Sequence, residues 1–328
     1  MKWALEAFDE ARTLMSQARV AEVIALLEGV LEGDSTNRYA QRLLAHHYLL
    51  AGMGTAADRL ITRMLEQQGD AADTGLLRRQ QAEARLIAGR SSDCLALCSS
   101  LIEDNASPPE GVHLLRARAL AAQGDLAAAR RAAYLEAQHH PGTTDWAVVL
   151  ADLYLRHRDV EAADGTIAQV ISGDAVSPEV AATVASVRLE QGRLREAAGL
   201  VQSVLGADPR HARALHLQGR LALRQDRPRQ ALQDFLRAIR AEPGNGSFHA
   251  RLGRLLTQGA NYAKAIDHLR TALRLAPHNQ RVYLALGNAY DATGRPQAAE
   301  RVWRQGLAVR DSGWVTERIE ERLEAQDS

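Results

Sequence analysis

The chain has 328 residues and is short of several things whose absence excludes whole classes of function. Its only cysteines are Cys94 and Cys98, too few for a disulfide framework at this length, so a reducing compartment is expected. Lysine occurs only at Lys2 and Lys264. Positive charge is otherwise arginine, which points to a GC-rich genome, although arginine also offers forked hydrogen bonding to carboxylates; a bacterial protein is expected. Aromatic residues make up 4% of the chain, leaving few stacking platforms for single-stranded bases. Helical-repeat RNA binding therefore ranks last among the binding functions. Net charge is also absent: Lys plus Arg and Asp plus Glu each total 40, so any charge-based recognition must be local.

No apolar run reaches the ~18 residues that a bilayer span needs. The opening MKWALEAFDEARTLM carries Glu6, Asp9 and Glu10 where a signal peptide would be apolar, and reads as a first structural helix. A cytoplasmic protein is expected, or a periplasmic or membrane-associated one if an N-terminal segment has been removed.

Chemistry is equally scarce. There is no GxxxxGK[ST] loop and no strand to present a GxGxxG turn. No nucleophile, base and orienting group can be assembled, so no enzyme, cofactor or small-molecule substrate is expected. Cys94 and Cys98 lie four apart on one helix face, but the other soft ligands of a zinc site are not nearby. They fall where core residues belong, and buried thiols are the expectation. The doublets His46–His47 and His139–His140 do not chelate one ion, because adjacent helix residues point about 100° apart. His139 and His140 precede Pro141 at a helix end, where they complement the negative end of the dipole.

What the chain does have is repetition. Gly287 and Ala299, twelve apart, are matched 34 residues earlier by Gly253 and Ala265. The same interval recurs at Gly219 and Ala231, Ala185 and Ala197, and Ala151 and Ala163. With looser spacing it continues through Ala117 and Ala129, Ala82 and Cys94, Ala45 and Ala57, and Ala11 and Val23, making nine units. Apolar residues around each pair recur at three and four, so each unit is predicted to be two amphipathic helices joined by a tight turn. Small residues are needed where those helices cross, since a bulky side chain would hold the backbones apart. Pro141, Pro209, Pro243 and Pro277 follow second helices, and Gly52, Gly89, Gly124, Gly192 and Gly294 sit in the turns.

On these motifs, with Tyr283, Leu286, Gly287, Tyr290, Ala299 and Trp303 in one unit and Leu215, Gly219, Ala231, Phe235, Ala238 and Pro243 in another, the chain resembles the tetratricopeptide repeat family. The resemblance covers about residues 4–310 and is strongest from residue 178. Before that, Glu136 stands where the family has a small apolar residue, and Cys94 and Cys98 replace an alanine and a large apolar residue. The implied fold is an all-α, right-handed superhelical solenoid. Residues 1–107 hold about three divergent units and 108–310 about six. Residues 311–328 form a capping helix with Trp314, Ile319 and Leu323 on one side. Irregular spacing near residues 67–75 and 103–112 predicts bends in the stack, or else a boundary between two sub-arrays.

The resemblance further implies that extended peptides or partner helices bind the concave face, lined by the first helix of each unit. Positions six and three before the small residue, and one after it, share that stripe. The C-terminal units place Arg213, His216, Arg220, Arg254, Arg281 and Asn288 there, with Arg251 nearby. The middle units place Asp145, Asp152 and Glu179. The N-terminal units place Phe8, Arg12, Tyr39, Arg42, His46, Arg79, Glu83 and Arg118. A basic C-terminal groove suits an acidic segment or a free carboxylate, which arginine grips with paired hydrogen bonds. The family's carboxylate-clamp function is not carried over, because Leu284 stands where a lysine would be required. The expectation is a non-catalytic scaffold or adaptor binding another protein. An assembly factor in a bacterial envelope or secretion complex is the alternative.

Overall fold

The computed structural model describes residues 2–16, 19–68, 74–104, 108–140, 142–171, 176–277, 279–309 and 313–327. Among them are nineteen α-helices and no strand. The first units pair α1 (Lys2–Ser16) with α2 (Val20–Gly33), α3 (Arg38–Leu50) with α4 (Gly54–Gln68), and α5 (Thr74–Ile87) with α6 (Ser91–Glu103). The middle units pair α7 (Val112–Ala122) with α8 (Leu126–His139), α9 (Asp145–Arg156) with α10 (Val160–Ala168), and α11 (Pro178–Glu190) with α12 (Leu194–Ala207). The last pair α13 (Ala212–Arg224) with α14 (Pro228–Ala241), α15 (Gly246–Gln258) with α16 (Tyr262–Leu275), and α17 (Gln280–Asp291) with α18 (Pro296–Leu307). The final helix, α19 (Gly313–Asp327), has no hairpin partner.

The predicted crossing residues lie at the helix contacts. Ala11, Val23, Ala57, Ala82, Cys94, Ala117, Ala129, Ala151, Ala163, Ala185, Ala231, Ala265 and Ala299 are all fully buried. At Gly287 the requirement is strictest, because a Cβ there would overlap the indole of Trp303. That indole is itself fully buried and donates from Nε1 to the Leu284 carbonyl at 3.4 Å. Side chains thus interlock across each hairpin, and each hairpin packs on the next.

Local signals delimit the helices. Asn37, Asp125, Asp159 and Ser177 cap α3, α8, α10 and α11 by accepting from a backbone N–H in the first turn. Pro209, Pro243 and Pro277 each stand two residues beyond a helix, whereas Pro141 lies outside the described residues. The turn between paired helices needs one left-handed residue, filled by glycine at Gly52, Gly89, Gly124, Gly192 and Gly294, and by Arg158, Asp226 and Ala260 elsewhere.

Cys94 and Cys98 are buried free thiols in one cluster with Ala82, Leu101, Val112 and Leu115. At the C-terminal end, Val315 and Ile319 of α19 are fully buried against Leu284, Ala299 and Trp303, and Leu323 packs partly against them. Gln280 ties this cap down, its Nε2 donating to the Gly306 carbonyl and the Thr316 hydroxyl at 3.1 and 2.9 Å. The Trp314 side chain lies outside the described residues, as do 69–73 and 105–107 within the segments where bends are expected.

The departure at Glu136 has a structural use. Its side chain is completely buried, and its carboxylate accepts from the backbone N–H groups of Gly111, at 2.6 Å, and His113, at 3.2 Å. Those N–H groups belong to the first turn of α7, which has no cap of its own. A carboxylate on α8 therefore caps the helix before it, at the positive end of the α7 dipole.

Candidate partner-binding groove

The first helices of the units carry the stripe identified from the sequence, and curvature brings stripes from separate units toward one another. Arg213, in the first turn of α13, reaches back to α9 and grips the Asp152 carboxylate with both guanidinium nitrogens, Nη1 to Oδ2 at 3.0 Å. Arg220, two turns further along α13, pairs with Glu190 of α11. Between them, the His216 ring stacks on Phe248 with centroids 4.8 Å apart and lies 5.4 Å from Phe235. Burial, then Arg220, Arg251 and Arg213, hold its pKa well below the ordinary value. A neutral, packed imidazole results.

Arg251 and Arg254 of α15 differ. Among the described residues neither makes an ion pair or a hydrogen bond. Burial and the neighbouring Arg220 and Arg254 push the Arg251 pKa down to about 10, with Glu190 the carboxylate that opposes the shift. Arg254 is exposed to solvent, yet surrounding protein and Arg281 still lower its pKa. Arg281 of α17 donates to the Arg156 carbonyl at the end of α9, at 3.5 Å, and the Asn288 Oδ1 is buried with no donor among the described residues.

A second charged group lies in the middle of the stripe. His211 Nε2 meets Glu179 Oε1 at 3.1 Å. The hydrogen bond to Glu179 raises the His211 pKa, and the same bond lowers that of Glu179. Arg118, Arg213 and Glu242 contribute to this field. Burial, then Glu179, raise the Glu242 pKa despite a hydrogen bond from Asn245.

The N-terminal stripe is more dispersed. Phe8 and Tyr39 meet edge to face at 4.9 Å, and Tyr39 is 60% exposed. Arg12 pairs with Asp9, and Arg79 donates to the Glu110 carbonyl, 3.0 Å away. The histidine doublets divide as their geometry requires. His47 bonds the Leu43 carbonyl, His139 stacks on His113, and His140 Nε2 approaches the Pro108 carbonyl at 3.2 Å. Among the described residues no group of three potential metal ligands converges.

Arg213, His216 and Arg220 thus contact neighbours of their own chain, whereas Arg251 and Arg254 have no ion-pair or hydrogen-bond partner among the described residues. The sequence reading missed Glu190 and Arg156, each five residues after its unit's small residue. The signal was the helical period itself: one more turn beyond the chosen offset extends the same stripe.

Family models described as tetratricopeptide repeat match residues 184–246, 216–280 and 255–311. No curated protein matches the chain. Among solved structures, a chain of the APC/C hetero-tetramer Cut9–Hcn1 aligns with 97% of this chain at 16% identity and a TM-score of 0.49. The alignment spans 55% of that chain, so this chain covers about half its length. A crystal structure of MamA aligns over 48% of this chain and 93% of its own at 19% identity, with a TM-score of 0.38. No described helix is long and apolar enough to cross a membrane.

Proposed function

This chain is a tetratricopeptide-repeat protein, and on that premise we propose that it is a non-catalytic scaffold whose concave face takes an acidic partner segment at its C-terminal units. One observation carries the reading. Among the described residues Arg251 and Arg254 make no ion pair or hydrogen bond, while Arg213 and Arg220 pair with Asp152 and Glu190. The two like charges repel each other, and an anion bound beside them offsets that repulsion. A peptide carboxylate fits because guanidinium groups hold it through two parallel hydrogen bonds. Arg281 and Asn288 border the groove, and Arg213, His216 and Arg220 form its wall.

Fluorescence anisotropy with a labelled Asp/Glu-rich peptide tests this directly. Binding should weaken as salt rises, and should be lost in an Arg251→Ala/Arg254→Ala variant of unchanged helical content. Equal affinity in variant and parent would remove Arg251 and Arg254 from the binding site. A poly-uridine oligonucleotide bound more tightly than the peptide would replace the protein partner with RNA.

A further inference from the structure

In a stacked array each unit is expected to touch its neighbours in sequence. Here the second and third units also touch loops of the seventh to ninth. The Gly244 N–H, between α14 and α15, donates to the Leu50 carbonyl at the end of α3, at 2.9 Å. A Cβ on Gly244 would lie 2.5 Å from both the Gly52 nitrogen and the Leu50 oxygen, which are backbone atoms and cannot turn aside. One unit further along, a Cβ on Gly89, between α5 and α6, would come 2.9 Å from the Pro277 ring between α16 and α17. Both contacts set a turn within a unit against a loop between units, and both advance by one unit together. That is the register of two successive superhelical turns meeting edge to edge.

The repeat supplies its own control. Gly244 follows Pro243 as Arg210 follows Pro209 and as Gly142 follows Pro141. The loop thus accepts an exposed arginine in one unit, and in another it surrounds the glycine with open space. Gly244 has no left-handed backbone either. What demands glycine at 244 is the approach of the α3–α4 turn.

We propose that this seam closes the superhelix and gates access to Arg251 and Arg254, so that the concave face admits a partner segment when the seam parts. The gate rests on the acidic-segment reading above, whereas the closure stands apart from it. Inside the closed turn, Arg213–Asp152 and Arg281–Arg156 bridge the interior, so a segment lying along it needs the superhelix to widen. The interlocked hairpins hold their shape, while the seam is held by a backbone hydrogen bond and the close approach of Gly52 to Gly244 and of Gly89 to Pro277. It is the contact expected to open first.

The test places spin labels at exposed Arg59 and Arg270, on α4 and α16, through Arg59→Cys and Arg270→Cys. Distances are measured in the parent, in Gly244→Leu and in the control Gly142→Leu. A short, narrow distribution in parent and control, lengthened and broadened by Gly244→Leu, supports the seam, and Pro277→Ser breaks the other contact independently. Stopped-flow association of the Asp/Glu-rich peptide should be severalfold faster in the opened variants. Identical distances in every background would overturn the closure, and an opened seam with an unchanged association rate would overturn the gate. A peptide that binds in no background would sink the acidic-segment reading and the gate with it, and the distances would still decide the closure.

Discussion

The ninth unit, α17–α18, and the fourth, α7–α8, solve the same packing problem with different chemistry. In the ninth, Gly287 makes room for a large aromatic, and the buried Trp303 fills the crossing. In the fourth, Ala117, Ala129, Ala132 and Ala133 put small side chains at the crossing, and buried Glu136 reaches past the contact to cap its neighbour. The ninth unit draws its order from apolar volume, the fourth also from satisfied hydrogen bonds. A family pattern built on volume therefore reads the ninth unit easily and the fourth poorly.

The largest way to break this comparison is Trp303→Ala. Removing a fully buried indole should cost about 3–5 kcal/mol in denaturant unfolding. Hydrogen exchange should rise mainly in α17, α18 and α19, because stability in such an array is coupled to nearest neighbours. Uniform loss of protection across all units would refute the local account.

Glu136→Ala should come next. It strips the acceptor from the Gly111 and His113 N–H groups, and an unmet buried donor costs about 1–3 kcal/mol. Glu136→Gln, which keeps one acceptor oxygen, should recover part of that loss. If Glu136→Leu instead matched or exceeded the stability of the parent, volume would govern the fourth unit as it does the ninth.

Arg213 and Asp152 sharpen the contrast between neutralised and unneutralised arginines. Asp152 is partly exposed, so a double-mutant cycle with Arg213→Ala and Asp152→Ala should give a coupling of at most about 1 kcal/mol. Arg251→Ala, which removes an uncompensated charge, should leave stability unchanged or raise it. A marked loss of stability there would mean that Arg251 has a structural partner.

These contrasts also separate what the sequence made legible from what it did not. The nine hairpins, their crossing residues and the C-terminal cap follow from local periodicity, which needs no knowledge of curvature. That Arg213, Arg220, Arg251 and Arg254 would lie on the first helices of their units was legible for the same reason. That Arg213 would meet Asp152, 61 residues away, was not, because that contact depends on small rotations accumulated between successive units. The Gly244–Leu50 bond is hidden for the same reason, since no single unit encodes the pitch. Glu136 was visible as a departure from the pattern, but its partners belong to the preceding helix.

The smallest expected effect is a pH dependence from His211 and Glu179, and its sign follows from the directions of their shifts. His211 is raised from the ordinary 6.5, so its contribution is complete below 6.5 and fades as pH rises through the folded value. Glu179 is lowered from 4.5, so its contribution is complete above 4.5 and fades as pH falls through the folded value. The pair is one interaction seen from two sides, and its full effect lies between pH 4.5 and 6.5. Melting curves of the parent should therefore show a shallow excess of stability in that window over a His211→Asn variant, whose amide still offers the oxygen that the Ala214 N–H needs as a cap. Parallel curves across the whole range would assign His211 to capping α13 alone and leave Glu179 available to the groove.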